Sequence, residues 1–208
     1  MTLYGFCKEA IMFKAVICGT EVRIGLLFPA VLVVLFALDD TGIPAWCLAA
    51  SAMHEAGHFI AMYLLGCRPS MISISGFGVR ARLPANKISG FTESMIITLA
   101  GPAVNIVSFA VLVLASGMTL AAAIHLLLAV FSLLPIEYLD GGQLLYYILA
   151  GKIGEERADK ICFRVSILVL VPLATAGFYL LISSGYNFTL LAVSIYLGLL
   201  VLLKHKYS

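Results

Sequence analysis

Charge is what this sequence has least of. Of its 208 residues 12% are charged and 62% hydrophobic, where soluble domains carry about 25% charged and about 45–50% apolar residues. That shortage excludes an ordinary water-soluble fold, and a mean hydropathy of +1.07 places the chain among integral membrane proteins. Thirteen Lys and Arg against eleven Asp and Glu leave a net charge of +2, which excludes the concentrated basic face that nucleic acid binding needs. Cysteine is scarce and badly placed for pairing. Cys7, Cys18, Cys47, Cys67 and Cys162 are odd in number, widely spaced and without a CxxC pair, so neither a disulfide framework nor a cysteine zinc site is indicated. No cleavable signal peptide is expected: residues 1–23 hold Lys8, Glu9, Lys14, Glu21 and Arg23 and no compact apolar run ending in a small-residue cleavage site. The first span is therefore expected to stay in the mature protein. No internal repeat or low-complexity stretch divides the chain, and residues 1–208 read as a single transmembrane domain.

Long apolar runs are what the chain does have. They predict an all-α polytopic membrane protein of about six transmembrane helices at ~20 residues per span. The expected spans are 24–38, 43–65, 94–116, 118–150 (broken at 135–142), 165–182 and 188–203. Gly66-Cys-Arg68-Pro69 is expected to stop the second, because glycine and proline end helices and arginine favours the interface. The fourth is interrupted by Pro135 and Leu139-Asp140-Gly-Gly142. Irregular backbone at membrane depth is tolerated only where protein or a water-filled cavity covers it.

Residues 70–83 follow a different period. Ile72-Ser-Ile-Ser and Val79-Arg-Ala-Arg-Leu83 alternate on either side of Ser75-Gly-Phe-Gly78, which predicts a small membrane-associated β-hairpin. Residues 12–23 are a weaker candidate for a further strand. All thirteen Lys and Arg residues lie in the N-terminal segment, the 66–92 loop, the 151–164 loop and the C-terminal tail, and the connections 39–42, 116–119 and 183–187 hold none. Under the positive-inside rule both termini are expected to be cytoplasmic.

The chemistry is concentrated in His54-Glu55-Ala-Gly-His58. HExxH on a helix puts two imidazoles at i and i+4 on one face, able to share one Zn²⁺, with the glutamate beside the metal as general base. Polar residues inside a span can simply hydrogen-bond between helices. Here that alternative must explain two histidines and a glutamate within five apolar-flanked positions, and an ionised carboxylate in hydrocarbon costs about 2.5 kcal/mol or more. His58 lies eight residues before Gly66, so the site is expected ~12 Å below the cytoplasmic interface at 1.5 Å per residue. A catalytic zinc takes three protein ligands and leaves one position for water. Asp140 is the leading candidate for the third ligand, aimed by Gly141 and Gly142 at the helix break, and His125 is the rival. Glu137, three residues earlier, is a candidate to line a polar path for water or to anchor the interface.

His54-Glu55-Ala-Gly-His58, Gly101-Pro102-Ala-Val-Asn105 and Phe131-Ser-Leu-Leu-Pro135-Ile-Glu-Tyr-Leu-Asp140-Gly-Gly together resemble the site-2 protease family, peptidase family M50. The opening stretch and compact size are similar to the branch of the sporulation pro-sigma-factor processing protease. The resemblance implies an integral membrane protein, as in the bacterial cytoplasmic membrane, that cleaves membrane-spanning or membrane-associated proteins within the bilayer under control of membrane partners. It implies one zinc held by His54, His58 and Asp140, Glu55 as catalytic acid/base, and Asn105 as a supporting polar residue. The family usually has asparagine where this chain has Ser132, and a Pro-rich pair where it has Glu137-Tyr138; Ser132 keeps a hydrogen-bonding group with shorter reach. A helical substrate must unwind before attack, and the hairpin, with Ser73, Ser75 and Gly76, offers an edge for strand addition. The alternatives from other classes are a non-proteolytic zinc-binding membrane protein, transporter or scaffold, and a relative that binds substrate without cutting it. A transporter would carry polar residues through both leaflets, whereas here they gather at one depth.

Overall fold

The computed structural model describes residues 11–17, 19–38, 41–75, 78–82 and 90–206. The chain forms two compact units, one up to Ala129 and one from Val130 on.

The first unit combines a sheet with helices. Strands β1 (Ile11–Ile17), β2 (Thr20–Gly25), β3 (Met71–Ser75) and β4 (Gly78–Arg82) form one sheet in chain order. β1 and β2 are antiparallel, as are β3 and β4, where Ser73 pairs with Arg80 and Ser75 with Gly78. The two strands expected across 70–83 are therefore present, but within a larger sheet. β2 runs parallel to β3, Glu21 through Ile24 pairing with Met71 through Ile74. Parallel pairing requires a crossover, which here is helix α1 (Leu27–Leu38) followed by α2 (Ile43–Leu64). The join is reinforced by the Glu21 amide donating to the Ser70 carbonyl at 3.0 Å and the Thr20 hydroxyl donating to the Pro69 carbonyl at 2.8 Å.

α2 ends where the sequence expects: Leu65 caps it and Gly66 follows at φ +66°, a left-handed conformation that glycine adopts without steric cost. Its buried positions include Ala50, His54, Gly57 and Ala61, a stripe at helical spacing. The facing helix α3 (Phe91–Ser116) buries Thr98, Gly101, Pro102 and Asn105. Small residues bring the two backbones together, as is usual between helices in lipid. A Cβ on Gly57 would lie 2.7 Å from the Ala100 carbonyl oxygen and 2.9 Å from Val104. Helix α4 (Leu120–Ser132) begins in this unit.

The second unit holds the helix break. α4 ends at Ser132 and α5 (Asp140–Ile153) begins at Asp140, so the helices part over 133–139, where an interruption at 135–142 was expected, and Asp140-Gly-Gly142 opens the next helix. The connecting loop lies against the start of α5. A Cβ on Gly141 would stand 2.0 Å from the Leu133 carbonyl oxygen, and one on Gly142 2.1 Å from that of Ile136. Helices α6 (Glu155–Ser184) and α7 (Thr189–Lys206) complete the unit. Its apolar core gathers Ile136, Leu170, Leu197 and Val201.

Among the described residues, α3, α6 and α7 are long and apolar enough to cross a membrane, which fits an integral membrane protein. α2 has the length, with 22 residues, but His54, Glu55 and His58 lower its hydropathy. α1, with 12 residues, and α4, with 13, are shorter than the ~20 a single crossing takes.

Candidate metal centre

The centre is built on α2, where His54 and His58 stand one turn apart on the buried stripe. His58 is fixed from behind: its Nδ1 lies 2.7 Å from the carbonyl oxygen of Ile97 on α3. A carbonyl only accepts, so a neutral His58 donates there from Nδ1 and its Nε2 lone pair is left to face forward. That Nε2 sits 3.1 Å from Nε2 of His54, and the rings meet edge to face with centroids 4.8 Å apart. Two Zn–N bonds of 2.0–2.1 Å at a tetrahedral angle put their nitrogens about 3.3 Å apart. The pair thus fits one zinc ion.

Gly101 makes the arrangement possible. A Cβ there would stand 2.3 Å from His58 Nε2 and 2.8 Å from His54 Nε2, so any side chain at this position would crowd the space in front of the two ring nitrogens. Pro102 follows inside the helix. It has no N–H to offer the carbonyl one turn earlier, which loosens the ladder where α3 approaches α2.

His54 is held on its other nitrogen. Asn105, fully buried, has its Nδ2 3.1 Å from His54 Nδ1, and its Oδ1 lies 3.0 Å from Nδ1 of His125 on α4. Glu55, the residue between the two histidine turns, is half-buried on the same helix.

The structure brings together His54, His58 and Asn105 and adds His125 as the partner of Asn105. Asp140 is the first residue of α5, half-buried, in the second unit, and Ser132 is buried at the end of α4 in that unit. Ser73 is half-buried in β3 and Ser75 ends that strand, while Gly76 lies outside the described residues.

Sequence reasoning missed a cluster in the second unit. Glu137, its side chain 4% exposed, has Oε1 3.0 Å from His205 Nε2 and Oε2 3.4 Å from Lys204 Nζ. Lys204 Nζ also lies 2.7 Å from Asp159 Oδ1, and the Glu137 amide donates to the Ser166 hydroxyl at 3.0 Å. Glu137, Asp159, Cys162 and Lys204 line a cavity of about 310 Å³, together with Gln143, Tyr146 and Tyr147. The signals in the sequence were Glu137 itself and the Lys204-His205-Lys206 run, which reads equally well as an interfacial tail.

Comparison with known proteins adds three findings. Residues 114–173 match the model of Peptidase family M50. A candidate zinc metalloprotease of Synechocystis sp. is 35% identical over 68 residues, a match covering 33% of this chain and 19% of that protein. The aligned stretch thus spans about a fifth of that relative's length. Among solved structures, the site-2 protease from Methanocaldococcus jannaschii superposes with a TM-score of 0.64 at 23% identity, covering 89% of this chain and 91% of that one. The chain is similar to the site-2 protease family, and it shares that protein's fold.

Proposed function

We propose that this chain is an intramembrane zinc metalloprotease that hydrolyses peptide bonds of membrane-spanning or membrane-associated proteins. The observation that carries the reading is the convergence of His54 and His58 Nε2 to 3.1 Å in front of Gly101, with Glu55 in the HExxH position between them. One zinc would be held by His54, His58 and Asp140. Asp140 is assigned on chemistry and on the family resemblance: it is a carboxylate opening α5, where Gly141 and Gly142 fix the backbone against the preceding loop. Bound there, zinc would lower the pKa of a water towards ~7 and polarise the scissile carbonyl. Glu55 takes the proton of the attacking water and returns it to the leaving amine. Asn105 holds His54, and Ser132 supplies a hydrogen bond where the family uses an asparagine.

Six crossings with cytoplasmic termini agree with the placement of every Lys and Arg residue, and the whole chain is read as one protease domain. Substrate would unwind and add as a strand at the outer edge of β4, which pairs with β3 on its other side; Ser73, Ser75 and Gly76 belong to this hairpin. Control is expected from membrane partners. The test is purified protein in detergent with a membrane-spanning test substrate. Wild type should bind one zinc per chain and cut; Glu55→Gln should keep the zinc and lose cleavage by at least ~10³-fold, the loss of a general base and more. Undiminished cleavage by Glu55→Gln would rule this mechanism out.

A further inference from the structure

Asn105 touches two imidazoles with one amide, and an amide has two unlike ends. Its oxygen only accepts and its nitrogen only donates. Both histidines present Nδ1 to it, His54 at 3.1 Å and His125 at 3.0 Å. All three groups are buried, with Asn105 at 0%, His125 at 5% and His54 at 8% exposure, so each polar atom needs its partner inside the protein. Two arrangements satisfy both contacts to Asn105. In one, the amide nitrogen donates to His54 Nδ1 and His125 Nδ1 donates to the amide oxygen. In the other the amide is turned over: His54 Nδ1 donates to the oxygen and the nitrogen donates to His125 Nδ1. The two place the same heavy atoms at the same positions, since amide oxygen and nitrogen are nearly isosteric.

Metal binding selects between them. In the first arrangement the His54 proton sits on Nε2, the atom that faces His58, and an N–H cannot ligate. A His54 that ligates through Nε2 carries its proton on Nδ1 and must donate to Asn105, which turns the amide and obliges His125 Nδ1 to accept. The proton count is unchanged: each imidazole stays neutral with one proton, which moves from Nε2 to Nδ1 on His54 and from Nδ1 to Nε2 on His125.

We propose that His125 is a positioning residue for the metal centre, setting the tautomer of His54 through the Asn105 amide and taking the opposite tautomer itself when zinc is bound. The proposal rests on the reading of His54 as a zinc ligand. It gives His125 a role other than the rival third ligand considered from sequence: its Nδ1 is engaged by Asn105, one residue removed from the metal. Histidine ligands are generally oriented by a group on the non-ligating nitrogen, and loss of such a group costs on the order of 10- to 100-fold in metal affinity. Here the group is an asparagine that can orient His54 only as firmly as His125 orients it.

The test is protein labelled with ¹⁵N-histidine in detergent micelles, measured with chelator and then with one equivalent of zinc. Long-range ¹H–¹⁵N spectra report the tautomer of each ring. Zinc should move His54 to Nδ1–H and His125 from Nδ1–H to Nε2–H in step. Zinc affinity should fall on the order of 10- to 100-fold in His125→Phe and stay within about threefold of wild type in His125→Gln, whose amide can turn to match Asn105. Zinc bound by wild type with an unchanged His125 tautomer would overturn the relay and leave the metalloprotease reading standing. Equal affinities of His125→Phe and His125→Gln would do the same. Failure of wild type to bind zinc at all would overturn both.

Discussion

Among the described residues, two places gather side chains that could hold a metal, and they differ in their surroundings. On α2, the Nε2 atoms of His54 and His58 face each other at 3.1 Å, the two rings backed by an amide and a carbonyl. In the second unit Glu137, Asp159 and His205 place their donor atoms within 4.8 Å of one another, but Lys204 Nζ stands 2.7 Å from Asp159 and 3.4 Å from Glu137. The second cluster already has its cation. A metal there would have to displace an ammonium that is fixed in the chain, whereas the imidazole pair meets ring nitrogen to ring nitrogen. Donor count alone therefore does not make a metal centre; the charge that the protein itself supplies decides.

The largest effect should come from filling the space in front of the imidazoles. Gly101→Ala places a methyl 2.3 Å from His58 Nε2. It should abolish zinc binding and cleavage, and destabilise the α2–α3 pair by about 1–3 kcal/mol as other overpacked interiors do. Metal analysis and thermal unfolding of the variant check it; zinc retained at wild-type affinity would contradict the geometry. Asp140→Asn comes next. It should weaken zinc binding by more than the roughly 10- to 100-fold expected from losing an outer partner, measured by competition with a chelator.

Lys204→Met probes the other half of the comparison. It leaves the buried Glu137 side chain with His205 as its remaining close partner, and should cost about 1–3 kcal/mol, less than the ~3–5 of a wholly buried pair because Lys204 is partly exposed. It should also create a second divalent-cation site, seen as extra metal per chain and as recovery of stability on adding it. If no metal binds, charge balance is not what distinguishes the two clusters. The smallest effect belongs to the same chemistry in solvent. The Arg23 guanidinium, and then Lys14, hold Glu21 down to about 2, each at 2.8 Å. A lowered carboxylate contributes stability above its unfolded value and loses it as pH falls through the folded one. The sheet should weaken between pH ~4.5 and ~2, and Glu21→Gln should flatten that slope slightly, since water screens exposed pairs.

The sequence carried the parts of this that are local. HExxH spacing set two rings on one face, Gly66 stopped α2, and Pro135 with Asp140-Gly-Gly marked the break between α4 and α5. What it concealed depends on distant partners. His125 in an apolar helix gives no hint of its role because Asn105 is 20 residues away. Glu137 reads as a channel or anchor residue until His205, 68 positions on, is seen beside it. β1 and β2 were faint because their mixed polar and apolar residues fit a half-exposed sheet, whose parallel neighbour β3 lies beyond two helices.

That parallel pairing also carries a counting rule. Strands hydrogen-bonded in one sheet at a membrane surface must lie on the same side of the bilayer. Between Gly25 and Met71 the chain therefore crosses an even number of times, so α1 and α2 traverse together or not at all. Parity ties the fate of the short α1 to the helix that carries His54 and His58, independently of any loop charge. A sidedness assay that found Arg23 and Arg68 on opposite faces would be incompatible with the sheet itself.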